Sequence, residues 1–331
     1  MVTMQHHSPR FIRAGPRRLA GLKAVDALHK LERGLLTRIQ SLFAIHLVAI
    51  LFGATGIFGA LILADAWMIT WGRAVFAVLT LVSFSRLFAA IGRQHHHDDV
   101  SWRLHWLAFV LSGGMLALHW VTFFHSVKLG GIAVATLGFA SFPAFITLIE
   151  AFFLREKVGW AEWLRLLLVS IGLVLITPSF KWADQGTEGL LWGILSGAAF
   201  GVLAVINRRK LSRVNAFQVA GIQNGLVFLL LLPLILPTLK TVGMRDWLLI
   251  AALGIVCTGL AHWLFVSSLR QLPARTAGLV VASEPLYAIL FAWILFSQVP
   301  TGRMLVGAAV MMAAIFSASF AVHQKNTELI S

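Results

Sequence analysis

The sequence predicts an all-α integral membrane protein with ten transmembrane helices, arranged as two inverted five-helix repeats. Three observations support this prediction: the apolar composition, a pattern that occurs twice, and the distribution of basic residues. Hydrophobic residues make up 59% of the chain and charged residues 12%, with a mean hydropathy of +0.85. Soluble domains typically carry about 25% charged residues. One soluble core cannot bury this much apolar surface, so most of it is expected to face lipid.

One pattern occurs twice, and it consists of two apolar runs joined by a short polar turn. His119-Trp120 in the first copy corresponds to His262-Trp263 in the second, 143 positions later (119 to 262). The ASFP of residues 140–143 corresponds to the ASEP of residues 282–285, 142 positions later (140 to 282). The repeated unit is therefore built from membrane helices.

Ten apolar runs are long enough to cross a bilayer, which takes about 20 residues. They are expected at 40–62, 66–88, 104–126, 131–154, 160–178, 188–207, 216–238, 246–269, 275–297 and 303–322. The predicted domains are a basic extension at 1–39, five-helix repeats at 40–178 and 188–322, and a tail at 323–331.

The N-terminal extension has no apolar stretch before Leu42 that would make it a cleavable signal peptide. From Leu19 to Leu36 its apolar residues have helical spacing among basic residues. This favours a basic amphipathic helix on an anionic inner leaflet. A disordered tail is the alternative interpretation.

The Lys and Arg residues are distributed unevenly between alternate loops. With the N-terminus inside, 21 of the 27 basic residues face the cytoplasm, five face outward, and Arg73 lies within the second span. This asymmetry predicts an inner-membrane protein with both termini cytoplasmic. It also accounts for the net charge of +14 without nucleic acid, which we exclude as a partner. Because five helices per half is an odd number, the second half must enter the membrane from the opposite side.

Inverted repeats are typical of transporters whose substrate site lies near the midplane between the halves. Several motifs carry a family resemblance: FGATGIFGA, TWGRAVF, FFHSVKLGGIA, SFPAF followed by LREKV, and SEPLY. In this order the pattern resembles the drug/metabolite transporter superfamily, and in particular its EamA-type exporters, over residues 40–322. The resemblance implies a secondary transporter that exports a small metabolite. One departure is Gln298, where the family repeats the glutamate found at Glu156, so the turn after the ninth helix is expected to be held less firmly.

The third predicted helix carries a polar stripe, with residues at three- and four-residue steps. Its members are Ser112, Met115, His119, Thr122 and Ser126. Because polar groups are costly in hydrocarbon, the stripe must face protein or a water-filled cavity. His119 either hydrogen-bonds substrate or shuttles a proton, or it is a structural histidine, and both interpretations fit His262.

Glu284 lies about ten residues into the ninth helix and directly precedes Pro285. A buried carboxylate must be protonated, solvated or paired. It either binds a cationic amine of the substrate or takes up a proton, or it pairs structurally with a histidine or arginine. The helical face continues through Tyr287, and the matching face of the fourth helix carries Phe142 and Phe145. This predicts a pocket with one polar and one aromatic wall.

Weaker candidates for substrate contacts lie on other helices. Arg73 could hold a substrate carboxylate, or snorkel outward, or form a structural pair. His46 either faces the cavity or has only a packing role inside the protein. Trp120 and Trp263 are candidates for flanking an apolar part of the substrate, while Glu150 is expected to pair with a basic loop residue.

Other chemistry is not indicated. The single Cys257 excludes an intramolecular disulfide, and the His95-His96-His97-Asp98-Asp99 run is interpreted as a solvated loop. No Walker A lysine motif occurs, which excludes an ATP-driven pump on this chain. We expect no cofactor, no metal and no enzyme activity.

The predicted function is export of an amino acid or similar amphipathic compound by alternating access, with protons as a candidate coupling ion. The rivals are a membrane-embedded enzyme that uses the buried histidines and Glu284, and a channel.

Overall fold

The computed structural model describes residues 16–90, 102–176, 184–296 and 299–327. The predicted solvated loop at His95 to Asp99 and the predicted turn at Gln298 lie outside the described residues. The chain divides into two compact units, 1–40 and 41–331. In the first unit the described residues are helical from Pro16 onwards, which covers the segment predicted to be an amphipathic helix.

Every regular element in the described ranges is a helix. The α-helices are α1 (Pro16–Leu61), α2 (Ala66–Ala90), α3 (Trp102–Phe139), α4 (Phe142–Leu148), α5 (Trp160–Ile176), α6 (Asp184–Lys210), α7 (Ala216–Ile235), α8 (Met244–Gly254), α9 (Ala261–Leu269), α10 (Ala274–Val281), α11 (Glu284–Phe296) and α12 (Gly302–Thr327). Two π-helical turns occur, Ile149–Phe153 after α4 and Ile255–Leu260 between α8 and α9, and one 3₁₀ turn, Leu239–Thr241.

Eight helical stretches of the described chain are long and apolar enough to cross a membrane. They are Thr37–Leu61, Ala66–Leu87, His105–Ile132, Val134–Phe153, Gly186–Lys210, Ala216–Ile235, Met244–Leu269 and Ala274–Leu295. The protein is thus all-helical and multi-pass. The predicted spans at 160–178 and 303–322 correspond to shorter helices, the 17-residue α5 and the apolar Gly302–Ser317 of α12.

The predicted boundary between the third and fourth spans coincides with a kink inside α3. Gly131 takes a non-helical conformation with φ 80° and ψ 174°, which glycine adopts without the steric cost of a Cβ. The kink separates the membrane-crossing stretches His105–Ile132 and Val134–Phe153. A further break follows at Ala140-Ser141, between α3 and α4.

A second interruption, at Ala282-Ser283, separates α10 from α11. Pro285 in the first turn of α11 has no N–H to donate to a carbonyl one turn earlier. The helix is therefore interrupted directly before this proline. Its counterpart at Ser141 also precedes a proline, Pro143, by two positions, so both copies of the repeated segment are broken at the same place.

Glycines let several helices approach at backbone distance. A Cβ on Gly138 of α3 would lie 2.7 Å from the Cα of Gly193 on α6, and a Cβ on Gly189 of α6 would lie 2.9 Å from the Cα of Gly130. On α1, a Cβ at Gly53 would lie 3.0 Å from the carbonyl oxygen of Glu284. Small residues at such contacts are the usual basis of helix association in membranes, and here they bring α1, α3, α6 and α11 together.

Candidate functional site

A small cavity lies where α1, α2 and α3 meet the start of α11. It encloses about 20 Å³, which is room for one water-sized group. The residues that line it are Phe52, Thr55, Arg73, His119, Trp120, Phe123, Phe139 and Glu284. Two opposite charges and one histidine thus share a cavity whose other walls are largely aromatic.

Arg73 is 2% exposed, although it is a full positive charge. Its Nε donates to the Thr258 hydroxyl at 2.8 Å and one Nη donates to the Cys257 carbonyl at 3.4 Å. Its guanidinium carbon lies 4.2 Å from the centre of the Trp120 ring and 5.3 Å from that of Phe124. A planar cation stacked on an aromatic face and fixed by two hydrogen bonds is held in one orientation.

The anchor for Arg73 is the π-helical turn Ile255–Leu260. In this turn the Thr258 hydroxyl donates to the Leu253 carbonyl five residues earlier, at 2.9 Å, which leaves its oxygen to accept from Arg73. A Cβ on Gly254 would lie 2.8 Å from the Arg73 carbonyl oxygen. The glycine therefore permits the close approach of α2 that places Arg73 against this turn. Single π-helical turns often occur at functional sites.

His119 is 6% exposed and is held by α6. Its Nδ1 lies 2.7 Å from the hydroxyl of Ser196, and that hydroxyl donates to the His119 carbonyl at 3.0 Å. The ring stacks on Phe139, with centroids 4.9 Å apart, and lies at the same distance from Phe200. The imidazole is thus fixed in place while it also lines the cavity.

Glu284 is 4% exposed and is the first residue of α11. Its carboxylate forms no hydrogen bond or ion pair within the described residues, and Arg73 is the opposite charge that acts on it. The alternative of a structural pair with a histidine therefore finds no support in the described chain. An unpaired carboxylate in such a cavity is available to bind a cation or a hydrogen-bond donor.

The second copy of the His-Trp pair does not line the cavity. His262 is buried at 2% exposure, and its Nε2 lies 2.9 Å from the side-chain oxygen of Gln223. Trp263 stacks on Phe217 with centroids 4.8 Å apart. The repeat therefore does not produce two equivalent site halves, and only the first pair, His119 and Trp120, contacts the cavity.

The predicted aromatic wall lies partly behind the cavity. Phe142 is fully buried and stacks on Phe139 with centroids 4.8 Å apart, so it supports a lining residue rather than lining the cavity itself. Phe145 packs beside Gly201 of α6, and Tyr287 packs beside Gly53 of α1. Neither lines the cavity.

Two further candidates also lie away from the cavity. The hydroxyl of Thr122 donates within its own helix, to the Leu118 carbonyl at 2.7 Å and the His119 carbonyl at 3.1 Å. His46 is partly buried on α1 and is not part of the lining. The polar stripe on α3 mainly faces protein: Ser126 donates to the Gly189 carbonyl at 2.6 Å.

A buried amide group that the sequence did not single out joins α3, α6, α7 and α9. The Gln223 amide nitrogen donates to the Ser112 hydroxyl at 2.8 Å and to the Asn207 side-chain oxygen at 2.6 Å. The Gln223 side-chain oxygen lies 2.9 Å from His262 Nε2. A polar residue inside an apolar helix is the sequence signal that could have identified Gln223 and Asn207, as it identified His119.

The lining residues that the sequence did not identify are Phe52, Thr55, Phe123 and Phe139. With 24 phenylalanines in the chain, composition gives no means to select three of them. Thr55 had a signal, since it is a hydroxyl within the glycine-rich motif of α1.

At one end of the helices, three carboxylates converge on one guanidinium. Arg275 pairs with Glu150, Glu156 and Glu162, and Arg209 pairs with Glu156. Glu150 thus pairs with a basic residue, as predicted, but Arg275 lies in the first turn of α10 rather than in a loop. A larger cavity of about 820 Å³ lies against this cluster.

These features define a class: a multi-pass helical membrane protein with one buried site that carries opposite charges and aromatic walls. Two stretches of the chain, residues 39–177 and 187–320, match the EamA-like transporter family. Because these matches cover most of the chain, the protein belongs to the EamA-like transporter family.

Individual relatives agree with this membership. The chain is 26% identical to the uncharacterized transporter YwfM of Bacillus subtilis over 297 residues, which cover 87% of this chain and 96% of that protein. It is 24% identical over 182 residues to YxxF, another uncharacterized transporter of that organism, covering 54% of this chain but only 58% of YxxF.

Several relatives are named for a substrate, among them a pseudopaline exporter of Pseudomonas aeruginosa, 25% identical over 63% of this chain and 74% of that protein. The aromatic amino acid exporter YddG of Ancylobacter novellus is 26% identical over 206 residues, which cover 60% of this chain and 71% of that protein. A solved crystal structure with 21% sequence identity superposes with a TM-score of 0.70 and covers 86% of this chain and 98% of that one. At this identity the solved structure supports the fold alone.

Proposed function

We propose that the protein is a secondary transporter that exports an amino acid or a similar amphipathic metabolite across the inner membrane by alternating access. The observation that carries the proposal is that Arg73 and Glu284 both line one aromatic cavity. A zwitterion carries a carboxylate and an ammonium group, and these two side chains complement them. The name of the related aromatic amino acid exporter is consistent with this substrate class.

The two charged side chains differ in how many hydrogen-bond partners they already have within the protein. Arg73 uses two donors on Thr258 and Cys257, which leaves the rest of its five N–H groups for a carboxylate. Glu284 has no partner in the described part of the chain and is the group most open to a substrate ammonium. Trp120 and the neighbouring rings provide the apolar surface for a side chain.

The proposed architecture is ten transmembrane helices in two inverted five-helix domains, 40–178 and 188–322, with both termini cytoplasmic. In this arrangement the central cavity is too small for a whole metabolite, because 20 Å³ holds a group of water size. Opening toward either side would admit the substrate. Protons are a candidate coupling ion, with Glu284 as the group that would carry them.

The test is counterflow into liposomes that contain the purified protein, using a panel of radiolabelled amino acids. Glu284→Gln keeps the shape of the side chain and removes its charge. Loss of a hydrogen bond to a charged group costs about 1.5–3 kcal/mol, so exchange of the best substrate should fall by roughly 10- to 100-fold.

The matched control is Glu188→Gln, because Glu188 is an exposed glutamate that accepts from Trp192 at 3.3 Å. The control should exchange at the wild-type rate. Wild-type exchange in Glu284→Gln would show that this carboxylate is structural. Absence of exchange with every amino acid in the panel would remove amino acids as the substrate class.

A further inference from the structure

The contacts of Ser196 favour one of the two nitrogens of His119 as the carrier of the proton. A serine hydroxyl has one proton to donate, and the Ser196 hydroxyl donates it to the His119 carbonyl at 3.0 Å. The same hydroxyl oxygen lies 2.7 Å from Nδ1, and both contacts are hydrogen bonds at once when Nδ1 is the donor. In a neutral imidazole this leaves Nε2 as a lone-pair acceptor.

The His119 ring also lines the cavity, together with two other groups that accept hydrogen bonds. Glu284 contributes an unpartnered carboxylate. The Thr55 hydroxyl donates to the Leu51 carbonyl at 3.4 Å and is also hydrogen-bonded to the Cys257 side chain. A hydroxyl oxygen has two lone pairs, so Thr55 keeps one with which to accept. All three residues border one space of about 20 Å³, so a group of that size is within reach of each of them.

We infer that Glu284, His119 Nε2 and Thr55 Oγ form an acceptor cradle that selects a primary ammonium group on the substrate. Three acceptors match the three N–H donors of R–NH₃⁺ in number, and an ammonium is close to water in size. This inference rests on the proposed function and adds to it the chemical class of the amine. Ser196 is a positioning residue in this site, because it acts on the substrate only through the tautomer of His119.

The aromatic walls permit an opposite selectivity. Phe52, Trp120 and Phe139 also line the cavity, and aromatic cages bind quaternary ammonium groups through cation–π attraction. A cage would favour an N-trimethylated substrate over a primary amine, whereas the acceptor cradle leaves buried acceptors unpaired when such a substrate enters. Leaving buried polar groups unpaired is the strongest basis for rejecting an analogue.

The first experiment measures the tautomer without any substrate. Nitrogen NMR of the full-length protein with ¹⁵N-labelled histidine, in detergent micelles, should show a protonated Nδ1 and an unprotonated Nε2 for His119. The resonances are assigned by their loss in His119→Phe, a variant that keeps a ring against Phe139. In Ser196→Ala the fixed tautomer should disappear, while the matched control Ser170→Ala, an exposed serine on α5, should leave it unchanged. A ring protonated at Nε2 in the wild-type protein would overturn the inference.

The second experiment measures binding selectivity by isothermal titration calorimetry with L-phenylalanine and N,N,N-trimethyl-L-phenylalanine. The primary amine should bind at least about 100-fold more tightly. His119→Phe should weaken phenylalanine binding by roughly 10- to 100-fold, as expected for a lost hydrogen bond to a charged group. Thr55→Val should weaken it by about 2- to 10-fold, and the control His125→Phe should have no effect.

Steric exclusion alone would also disfavour the trimethylated compound, and Ser196→Ala separates the two explanations. Under the cradle, this variant weakens binding of phenylalanine and lowers the selectivity ratio. Under steric exclusion the ratio stays the same. Equal binding of the two compounds, or binding of neither, would overturn the cradle, whereas the proposed function fails separately if the wild-type protein exchanges no amino acid.

Discussion

Arg73 is the residue on which the geometry of the cavity depends most directly. It is a buried cation held by a hydroxyl, a carbonyl and the face of an indole ring, with contacts of 2.8, 3.4 and 4.2 Å. A guanidinium satisfies these contacts because it is planar and carries N–H groups along its edges. A compact ammonium cannot reproduce this set, although it carries the same charge.

We therefore predict that Arg73→Lys impairs transport while preserving charge. The variant loses the stacking on Trp120 and at least one charged hydrogen bond, so exchange in the counterflow assay should fall by roughly 10- to 100-fold. Arg86→Lys, at an exposed position near the end of the same helix, should exchange like the wild-type protein. If Arg73→Lys retains full activity, a positive charge alone suffices at this position.

Charged residues of the site were predictable from the sequence, and its neutral residues were not. Arg73 and Glu284 stand out because a charge inside an apolar helix is costly enough to require a reason. Ser196 donates one hydrogen bond and costs little to bury, so nothing in the sequence separates it from other serines in membrane helices. The absence of His262 from the cavity was also not predictable, because the repeat places it in the same sequence context as His119.

Among the helices, the contact between α3 and α6 depends on the absence of side chains. A Cβ on Gly138 would lie 2.7 Å from the Cα of Gly193, and backbone atoms cannot move aside as a flexible side chain can. By contrast, Gly114 on the same helix has no neighbouring atom within 4 Å of its would-be Cβ.

The two glycines therefore give a matched pair of substitutions. Gly138→Ala should lower the stability of the protein by about 1–3 kcal/mol through overpacking, seen as a lower midpoint of thermal denaturation in detergent. Gly114→Ala should leave the midpoint unchanged or raise it slightly, since alanine favours the helix. Equal midpoints for both variants would mean that α3 and α6 are not in backbone contact.

The helix interruptions were predictable where a proline or a polar, glycine-containing turn marks them. Pro285 and Pro143 indicated the breaks before α11 and near the start of α4, whereas the π-helical turn at Ile255–Leu260 has an apolar sequence without proline. A π-helical turn differs from an α-helical one by the insertion of a single residue in the hydrogen-bond ladder. Hydrophobic periodicity over a helix that is apolar on all sides does not register such an insertion.

For the whole molecule, the Arg275 cluster ties together segments that are far apart in sequence. It joins α10 to the π-helical turn after α4, to the following loop and to α5. The Glu150 side chain is 4% exposed and that of Arg275 is 16% exposed, so this pair is largely removed from water. Removing one member of a buried pair leaves an uncompensated charge.

Arg275→Gln should therefore destabilise the protein by about 1–3 kcal/mol, less than a fully buried pair because Glu162 remains partly exposed. The midpoint of thermal denaturation in detergent should fall. Arg303→Gln, whose arginine donates to the Val174 carbonyl at an exposed site, serves as control. An unchanged midpoint in Arg275→Gln would mean that the cluster contributes nothing to stability.

Inverted topology is the proposal about the whole molecule that a single labelling experiment can test. Lys157 and Val299 occupy corresponding positions in the two copies, 142 residues apart (157 to 299), and both are exposed. If each repeat contributes five spans, these positions lie on opposite sides of the membrane, whereas an even number would place them on the same side.

Cys257 is the only cysteine and is buried, so Cys257→Ser gives a background for Lys157→Cys and Val299→Cys. A membrane-impermeant maleimide added to intact cells should label Val299→Cys alone, and disruption of the membrane should make Lys157→Cys reactive. Labelling of both positions from outside would contradict the inverted arrangement and, with it, the exchange of conformations between halves on which alternating access depends.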